Sequence, residues 1–470
     1  MAMAAAPEHH QQPAGTPSSS SPRLRVHDTT LVAPSPSPPE TSLPLTFFDI
    51  IWLNSPPVER LLFYRLAPDA DVATTISNLK DSLRHAIHAF YPLAGRLRLT
   101  PGTSDRYELY YRPGDGVTFT VAECDDADID SLAIDDPRDV AKIAKLVPSL
   151  PQGGGVFALQ ATLLSARRGL AIGVTVHHAA CDGSSSTHFL HTWASAAACT
   201  GAEARPPPPP VIDRTLLADP RGMYDVFFHV APSTDEMEFV KLSADQLFAT
   251  FTLSKDDLLR IKDAVADEAA RRGVAPPRCS SLVATFGFVW SCYERAKESS
   301  GSDDDEATIT TMTHILFPVD HRSRMKPPLP EKYLGNCVGP AFGKAPKIEL
   351  EAQGAGGLFS ACAAVASGID EAVRDIGTSR MDAWLDRIRE AGSLLTVAGS
   401  PRFRVYELDF GFGRPAKVDI VSVARTGAVA VAESRSSAGG MEVGVSLKPA
   451  GMERFHKCFA EGIAWLQQRS

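Results

Sequence analysis

Residues 157–187 read FALQATLLSARRGLAIGVTVHHAACDGSSST, and the fold class follows from this segment. The β-rich runs Phe157–Leu164 and Leu170–Val176 are separated by the turn-forming residues SARRG, a pattern that predicts a hairpin. Its second strand leads directly into two adjacent histidines. Apolar residues at helical spacing follow, and Asp182 with Ser184–Ser186 offers side chains that can cap a helix start. A strand that meets a helix in this way indicates an α/β fold.

Further helices and strands are predicted on both sides of this segment. Apolar residues at helical spacing predict helices at Ile76–Phe90, Lys255–Val265, Ser280–Arg295 and Met452–Leu466. Short β-rich runs split by Gly, Pro and Ser predict an antiparallel meander formed by Arg404–Phe410, Val418–Val423, Ala428–Ala432 and Val443–Leu447. The chain thus combines mixed sheets with flanking helices.

The composition divides the chain into a leader and two lobes of similar size. Residues 1–39 are rich in Ala, Gln, Pro and Ser, which predicts a disordered leader, with ordered structure starting near Leu43. The proline run Pro206–Pro210 predicts a stiff linker. We therefore expect an N-terminal lobe over residues 40–215 and a C-terminal lobe over residues 216–470. Residues 301–306, GSDDDE, predict an exposed acidic loop.

The charge and cysteine patterns exclude several classes of protein. The 470 residues include 47 Lys and Arg against 56 Asp and Glu, a net charge of -9, so there is no domain-wide basic surface for nucleic acid. No apolar run reaches the ~18 residues of a membrane span. The first 22 residues lack the basic and apolar regions of a secretory signal, so we expect a cytosolic protein. The eight cysteines form no CxxC pair, which argues against a zinc or redox motif.

The two histidines carry the chemical signal of the chain. Strand alternation places His178 on the same face as Val174 and Val176, whereas His177 points the other way. A neutral imidazole in a half-buried site can take a proton from a hydroxyl, so His178 is a candidate general base. A purely structural histidine is the alternative. A metal site built on His178 and Asp182 lacks an evident third ligand, and no serine lies in a GxSxG motif, so metal and acyl-enzyme chemistry are disfavoured.

A second unusual segment is DFGFGRP, residues 409–415. Glycines that alternate with aromatic residues before a proline indicate a sharp turn. Asp409 is expected to brace this turn through hydrogen bonds. A direct catalytic role for Asp409 as a proton acceptor is the alternative.

Together these segments resemble the plant BAHD acyl-CoA-dependent acyltransferases. The family motif HxxxDG matches His178–Gly183, and DFGWG matches Asp409–Gly413, with FYPLAGRL at Phe90–Leu97 as a third similarity. The resemblance implies two similar-sized lobes, each a mixed sheet with helices, around a central solvent channel, as in chloramphenicol acetyltransferase-like folds. It also implies a monomer.

Within the family the sequence is most similar to malonyltransferases that act on flavonoid and anthocyanin glucosides. The similarity lies in Leu43–Tyr64, Asp320–Arg324 and Tyr333–Cys337. Two positions differ from the usual pattern. Phe412 replaces a tryptophan and so lacks an indole N–H, and Ser184 stands where many malonyltransferases carry lysine.

The resemblance implies direct acyl transfer from an acyl-CoA co-substrate, without a cofactor, a metal or an acyl-enzyme. His178 would deprotonate a sugar hydroxyl of a phenolic or flavonoid glycoside, which attacks the thioester of malonyl-CoA. Asp182 would pair with Arg322 across the lobes and support the site, as would Gly411 and Gly413. The CoA contacts map onto the side chains of Lys262, Ser280 and Ser281.

Two alternatives remain open at this point. The donor could be a hydroxycinnamoyl-CoA or acetyl-CoA, because the sequence does not place the cation that a malonyl carboxylate needs. A CoA-binding protein without catalysis is a third possibility, which the presence of His178 and both glycines of DFGFG disfavours.

Overall fold

The computed structural model describes residues 24–165, 168–198, 207–230, 243–297, 311–376, 379–391 and 394–469. The strands, numbered in chain order, are β1 (Leu24–Val32), β2 (Thr41–Pro44), β3 (Val58–Arg65), β4 (Arg96–Leu99), β5 (Tyr107–Tyr111), β6 (Val117–Cys124), β7 (Arg138–Asp139), β8 (Phe157–Leu164), β9 (Gly169–Val176), β10 (Leu247–Leu253), β11 (Met312–Asp320), β12 (Val338–Pro346), β13 (Leu394–Gly399), β14 (Lys417–Ile420), β15 (Val429–Glu433) and β16 (Met441–Leu447).

The α-helices alternate with these strands along most of the chain. They are α1 (Phe47–Ile50), α2 (Val72–Ala89), α3 (Ile129–Leu132), α4 (Val140–Ala144), α5 (Gly183–Ala198), α6 (Met223–Val230), α7 (Lys255–Arg271), α8 (Ser281–Ala296), α9 (Lys347–Glu351), α10 (Ala355–Asp375), α11 (Trp384–Glu390), α12 (Val423–Thr426) and α13 (Pro449–Gln468). The predicted helices at α2, α5, α7, α8 and α13 and the predicted β8–β9 hairpin are confirmed, as is the mixed α/β class.

Two large mixed sheets and one small sheet organise the described residues. The N-terminal sheet has the strand order β1-β6-β8-β9-β3-β14, and the C-terminal sheet has the order β12-β11-β13-β15-β16-β10-β7. Strands β2, β5 and β4 form the small sheet. In the N-terminal sheet β6 and β8 run parallel while the other neighbours run antiparallel.

The apolar run of β3 is continuous because both faces of its sheet are buried. Leu62 and Tyr64 face a core formed with α2 and α5, whereas Leu61 and Phe63 face a smaller core between the two large sheets. This alternation follows from the two-residue period of a strand. Strand β9, opposite β3, is buried along its whole length for the same reason, so the histidines that follow it are firmly positioned.

Helices α2 and α5 cover the outer face of the N-terminal sheet. A buried indole joins them, since Trp193 Nε1 lies 3.1 Å from both the carbonyl oxygen of Leu79 and Oγ of Ser82. In the second half, α7, α8, α10 and α13 pack on the C-terminal sheet through a separate apolar core. Each large sheet thus has its own helical layer, and the smaller core lies between the sheets.

Each large sheet also takes one strand from the opposite half of the chain. Strand β14 pairs with β3 in register from Lys417 opposite Phe63 to Ile420 opposite Arg60. Strand β7 pairs with β10 through Asp139 opposite Leu247. Arg138 of β7 and Asp419 of β14 then form a buried ion pair with N–O distances of 2.8 and 3.2 Å. The two sheets are therefore connected by exchanged strands as well as by packing.

The disordered leader predicted for residues 1–39 is wrong from Leu24 onward. Strand β1 pairs with β6 from Leu24 opposite Cys124 to Val32 opposite Val117. The proline-rich stretch after it docks on α2, where a ring nitrogen of His88 lies 2.7 Å from the carbonyl oxygen of Pro36. Because β1 is mostly exposed, its polar composition hid the strand. Residues 1–23 lie outside the described residues.

The antiparallel meander predicted near the C-terminus is correct only in part: three of its four β runs are strands, but they do not form one meander. Residues 401–403 and 405–407 form short 3-10 turns, and β14 joins the other sheet. Strands β13 and β15 run parallel, and β15 and β16 form an antiparallel pair. The predicted acidic loop at 301–306 and Pro206 at the start of the predicted linker lie outside the described residues.

Candidate active site

His178 lies in the turn between β9 and α5. The backbone N–H of His177 donates to the carbonyl oxygen of Val156 at 2.8 Å, which extends the sheet pairing to the residue before it. The half-buried His178 ring stacks on Trp52, with ring centres 3.8 Å apart and planes inclined by 14°. Nδ1 of His178 has no hydrogen-bond partner among the described residues. The ring is held by stacking on Trp52, and Nδ1 makes no structural hydrogen bond to the described residues.

The surroundings of His178 favour its neutral form. Burial lowers the pKa of the imidazole, and the carboxylate of Asp182 offsets part of that shift. His177 also has a pKa lowered by burial, to about 4, but its Nδ1 accepts the backbone N–H of Ala179 at 3.2 Å. A neutral ring nitrogen can accept a proton, so His178 meets the requirement for a general base, whereas His177 is engaged in holding the turn.

Asp182 forms a buried ion pair with Arg322, as the family resemblance implied. Nη1 of Arg322 lies 2.8 Å from Oδ2 of Asp182, and both side chains are almost fully buried. The carboxylate also accepts the backbone N–H groups of Ser185 at 2.9 Å and Cys337 at 3.1 Å. Burial alone would raise the pKa of Asp182, but the charge and hydrogen bond of Arg322 outweigh burial, so the pKa is lowered. The carboxylate is therefore ionised and fully occupied, which suits a supporting role.

Arg322 makes further hydrogen bonds in addition to this ion pair. Its Nη2 donates to the carbonyl oxygen of Gly335 at 3.0 Å, to that of Tyr333 at 3.2 Å and to Oγ of Ser185 at 3.1 Å. Ser185 Oγ in turn lies 3.0 Å from the Gly335 carbonyl oxygen. The helix that follows the histidine loop is thus fixed to a segment of the second half of the chain by charge-assisted hydrogen bonds.

Two residues that sequence reasoning did not select complete this support. Asp49, at 0% exposure, accepts the backbone N–H of Asn336 at 3.0 Å and its Nδ2 at 2.9 Å. Nδ2 of Asn336 also donates to the backbone carbonyl oxygen of His178 at 2.9 Å. Both residues lie in segments that resemble the family, LPLTFFD and YLGNC, so the resemblance could have pointed to them. The sequence pattern alone does not indicate which hydrogen bonds each residue makes.

Lys262, Ser280 and Ser281 lie together at the N-terminus of α8. Nζ of Lys262 donates to Oγ of Ser281 at 2.9 Å, and Ser280 caps the helix by accepting the backbone N–H of Val283 at 3.3 Å. A lysine at a helix N-terminus, where backbone N–H groups point outward, suits an anionic group such as a phosphate. The structure therefore brings the three predicted CoA contacts into one place.

Asp409 braces the DFGFG turn. Its Oδ1 accepts the backbone N–H groups of Gly411 at 2.8 Å and Gly413 at 2.9 Å. These two glycines have φ angles of 96° and 100°, in the left-handed region that other residues rarely adopt. Phe412 packs edge-on against Tyr64, with ring centres 5.0 Å apart. The turn therefore needs both glycines and the aspartate.

The structure separates Asp409 from His178. Gly411 lies against Ala197 and Ala198, the last residues of α5, whereas His178 precedes the first residue of that helix. Sixteen helical residues span about 24 Å. This corrects the alternative in which Asp409 accepts the proton, because the carboxylate is at the wrong end of the helix and already bonds the two backbone N–H groups.

The described ranges contain neither a metal centre nor a membrane-spanning helix. Within them, no group of three or more His, Cys, Asp or Glu side chains is arranged to hold a metal ion. No helix built from these residues is both long and apolar enough to cross a membrane.

Comparison with known protein families shows to which family the chain belongs. The sequence model described as the Transferase family matches residues 23–461. The chain belongs to this family, the BAHD acyltransferases. The BAHD motifs HxxxD and DFGWG are thus represented here by His178–Asp182 and by Asp409–Gly413, with Phe412 in place of the tryptophan.

Curated BAHD relatives align over almost the entire chain, and the protein is an acyltransferase. A malonyl-CoA:anthocyanidin 5-O-glucoside-6''-O-malonyltransferase of Arabidopsis thaliana is 32% identical over 461 residues, with 94% of this chain and 98% of the relative covered. A phenolic glucoside malonyltransferase of the same plant is 32% identical over 464 residues, covering 92% and 96%. A coumaroyl-CoA:anthocyanidin 3-O-glucoside coumaroyltransferase, also from that plant, is 29% identical over 470 residues, covering 92% and 95%.

Solved structures share the BAHD fold. Vinorine synthase superposes with a TM-score of 0.66 at 21% identity and covers 92% of this chain and 96% of its own. Fusarium graminearum TRI101 in complex with ethyl coenzyme A superposes with a TM-score of 0.60 at 14% identity, covering 88% and 96%. The predicted two-domain fold of the chloramphenicol acetyltransferase type is confirmed.

Replacing Asp409 by alanine tests its assignment in this BAHD protein. The Asp409→Ala variant is expected to lose about 1–3 kcal/mol of unfolding free energy, because two backbone N–H groups lose a charged acceptor. Its kcat should stay within about tenfold of wild type, well short of the loss expected for a general base. Denaturant unfolding and steady-state kinetics measure the two effects. An Asp409→Asn control keeps an acceptor oxygen, so its unfolding free energy should lie between those of wild type and Asp409→Ala. If Asp409→Ala lost as much kcat as a His178 variant, the catalytic assignment of Asp409 would be restored.

Proposed function

We propose that the protein transfers a malonyl group from malonyl-CoA to a sugar hydroxyl of a flavonoid, anthocyanin or other phenolic glucoside. Relatives named as malonyltransferases of such glucosides are 30–32% identical over most of the chain, which supports an acyl-CoA donor and a glycoside acceptor. The observation that carries the proposal is the His178 ring, which stacks on Trp52 in a site where burial lowers the pKa of the imidazole, on a loop whose His178 carbonyl oxygen accepts a hydrogen bond from Asn336.

In this mechanism His178 acts as the general base. A ring nitrogen takes the proton of the sugar hydroxyl while the hydroxyl oxygen attacks the thioester carbonyl carbon of the donor. The tetrahedral oxyanion collapses, the carbon–sulfur bond breaks, and the imidazolium returns its proton to the CoA thiolate. No acyl-enzyme forms. Asp182 does not exchange protons in these steps, because its ion pair with Arg322 keeps it ionised and holds the loop.

The CoA moiety would bind near the N-terminus of α8. Lys262 offers a positive charge, and Ser281 offers a hydroxyl already within 2.9 Å of that charge. The side chain of Ser280 is engaged in capping and its backbone N–H donates to the carbonyl oxygen of Arg278 at 3.2 Å, so the backbone N–H of Ser281 is the group at this helix end that attracts anions. A phosphate of CoA satisfies all of these groups together.

The pH dependence follows from the lowered pKa of His178. A base works in its deprotonated form, so kcat/KM should stay flat from neutral pH down to the ordinary histidine pKa of about 6.5 and fall only below it. Initial rates in overlapping buffers at constant ionic strength measure this profile. An acidic limb centred above about 7 would contradict a neutral, desolvated His178.

A second candidate uses a hydroxycinnamoyl-CoA donor, and acetyl-CoA is the further option. A coumaroyltransferase lies among the relatives at 29% identity, and Ser184 replaces the lysine common in malonyltransferases. Purified protein offered malonyl-, acetyl-, coumaroyl- and caffeoyl-CoA with flavonoid and anthocyanidin glucosides decides between these donors by product mass. A malonylated glucoside formed by wild type and absent with His178→Ala supports the proposal; preference for an aromatic donor overturns it.

A further inference from the structure

Two cysteine thiols meet beside the predicted CoA contacts. Cys279 comes directly before Ser280, the N-cap of α8, at the end of the mostly exposed segment that joins α7 to α8. Cys362 lies in α10 and is 0% exposed. The two side chains form a hydrogen bond with each other, and both cysteines are free thiols. A disulfide between them therefore needs only a small movement of the chain.

The packing of α8 on α10 fixes the position of Cys362. Its Sγ lies 3.7 Å from the carbonyl oxygen of Val283, in the first turn of α8. Gly287 of the same helix leaves room for this sulfur, since a Cβ there would lie 2.5 Å from Sγ. Cys279 is held through its neighbour Ser280, whose hydroxyl accepts the backbone N–H of Val283 at 3.3 Å. Both cysteines are thus positioned by the same turn of α8.

Cys279 has the properties of a reactive thiol. The hydrogen bond with Cys362 lowers the pKa of Cys279, and the positive charge of Lys262 acts in the same direction, although burial opposes them. The residue also lies at the N-terminus of α8, where the helix dipole favours a thiolate. Its side chain is half-buried, so a small oxidant can reach it. The thiolate is the form of cysteine that reacts with oxidants.

The other described cysteines lack this combination of features. Burial raises the pKa of four thiols, which keeps them protonated: those of Cys124, Cys181, Cys292 and Cys337. Cys458 is half-buried like Cys279, but it meets Cys292 through its backbone carbonyl oxygen, 3.8 Å from Sγ of Cys292. Cys279 and Cys362 thus combine an accessible thiolate with a second thiol in contact.

We propose that Cys279 and Cys362 form a disulfide when the protein meets hydrogen peroxide, and that this disulfide weakens binding of the CoA donor. The inference rests on the CoA site of the proposed function and adds the regulation of that site. Redox-sensitive cysteines have a lowered pKa, are accessible and lie next to a second thiol that resolves the oxidised form. Cys279 meets the first two conditions, and Cys362 supplies the third.

The oxidation takes two steps. The thiolate of Cys279 attacks one oxygen of the peroxide, the O–O bond breaks, and a sulfenic acid and a hydroxide ion form. The thiol of Cys362 then attacks the sulfur of Cys279, the S–O bond breaks, and the departing hydroxide takes the thiol proton and leaves as water. The two sulfurs together lose two electrons, and the peroxide ends as two waters once the first hydroxide has taken a proton from solvent. A dithiol reverses the change by thiol–disulfide exchange.

The disulfide acts on the CoA contacts through the chain next to it. A covalent S–S bond brings two sulfurs closer than a thiol contact does, and Cys362 is fixed in the core, so residues 279–281 shift toward α10. Ser281, two positions after Cys279, accepts a hydrogen bond from Nζ of Lys262 at 2.9 Å. Charge-assisted hydrogen bonds to a phosphate depend on the position of their donors. In the oxidised protein Lys262 and Ser281 therefore lose their alignment.

Peroxide treatment of the purified protein tests the disulfide. Wild type should lose two hydrogens in mass and give a linked pair of peptides containing Cys279 and Cys362, and dithiothreitol should reverse both changes. The Cys362→Ala variant should stop at the sulfenic acid of Cys279, which dimedone traps. Cys458→Ser is the matched control and should respond like wild type, because Cys458 is half-buried against the same core. Oxidation of Cys279 in wild type without this cross-link would overturn the inference.

Calorimetric titration with desulfo-coenzyme A, which has no thiol to reduce the disulfide, measures the effect on the CoA site. Oxidised wild type should bind about 5- to 50-fold more weakly than reduced wild type, because the phosphate loses aligned charge-assisted hydrogen bonds. Peroxide-treated Cys279→Ser should keep the Kd of the reduced protein. A complete cross-link with an unchanged Kd would overturn the inference.

The same titration separates this inference from the proposed malonyl transfer, since it involves neither an acyl group nor an acceptor. If wild type transfers a different acyl group while oxidation still weakens binding of desulfo-coenzyme A, the proposed function fails and the thiol control stands. If Lys262→Ala binds desulfo-coenzyme A as tightly as wild type, the CoA site lies elsewhere and the thiol control fails with it.

Discussion

The His178→Ala variant is expected to lose about 100- to 10,000-fold in kcat, because the sugar hydroxyl then has no positioned base. The loss should appear in kcat more than in KM for either substrate, since the ring acts on the proton that moves in the transition state. Folding should be nearly unaffected: the side chain makes a stacking contact with Trp52, whereas the hydrogen bond from Asn336 is to the backbone carbonyl. Product-mass assays at saturating malonyl-CoA measure the rate, and thermal unfolding checks the fold.

The neighbouring histidine supplies a matched control. His177→Asn can still accept the backbone N–H of Ala179 through its amide oxygen, so the turn is retained. This variant should keep kcat within about tenfold of wild type. If His177→Asn were as inactive as His178→Ala, or if His178→Ala turned over normally, the assignment of the base would be wrong.

The Asp182→Ala variant is expected to lower the unfolding free energy by about 3–5 kcal/mol, because it leaves Arg322 buried without its partner. The backbone N–H groups of Ser185 and Cys337 also lose their acceptor. Activity should fall with stability, since the loop that positions His178 is anchored through this carboxylate. Denaturant unfolding followed by tryptophan fluorescence, alongside kcat, measures both losses.

A double variant distinguishes support from proton transfer. Asp182→Leu combined with Arg322→Met removes both charges, so it should be more stable than either single variant. If its stability recovers and part of its kcat returns, Asp182 acts through the position of the loop. A fully stable double variant without activity would point instead to a direct part for the carboxylate in the reaction.

The parts of the site that sequence reasoning identified are those encoded locally. His178 ends a strand whose alternation is visible in the chain, and the spacing to Asp182 is fixed by one turn. The start of α8 next to Ser280 is equally local, and so is the bracing of DFGFG by Asp409. These features depend on contacts between residues a few positions apart, which is why the pattern alone predicts them.

The features that were missed depend on partners far away in the chain. Asp49 and Asn336 are 287 positions apart, and neither has a local pattern that indicates the other. Arg60 looks like an ordinary strand residue until its burial is known. Strand β1 was hidden for a related reason, because its pairing is supplied by β6 and not by its own apolar content. Three-dimensional context, and not residue type, determines these roles.

The exchanged strands β7 and β14 set a rule for building chimeras between relatives. A hybrid joined between the two halves would place a foreign β14 beside the native β3, and a foreign β10 beside the native β7. It would also combine Arg138 and Asp419 from different parents at a buried ion pair. Donor and acceptor preferences are therefore better recombined by moving 138–139 with the second half and 417–420 with the first, so that every sheet is inherited intact.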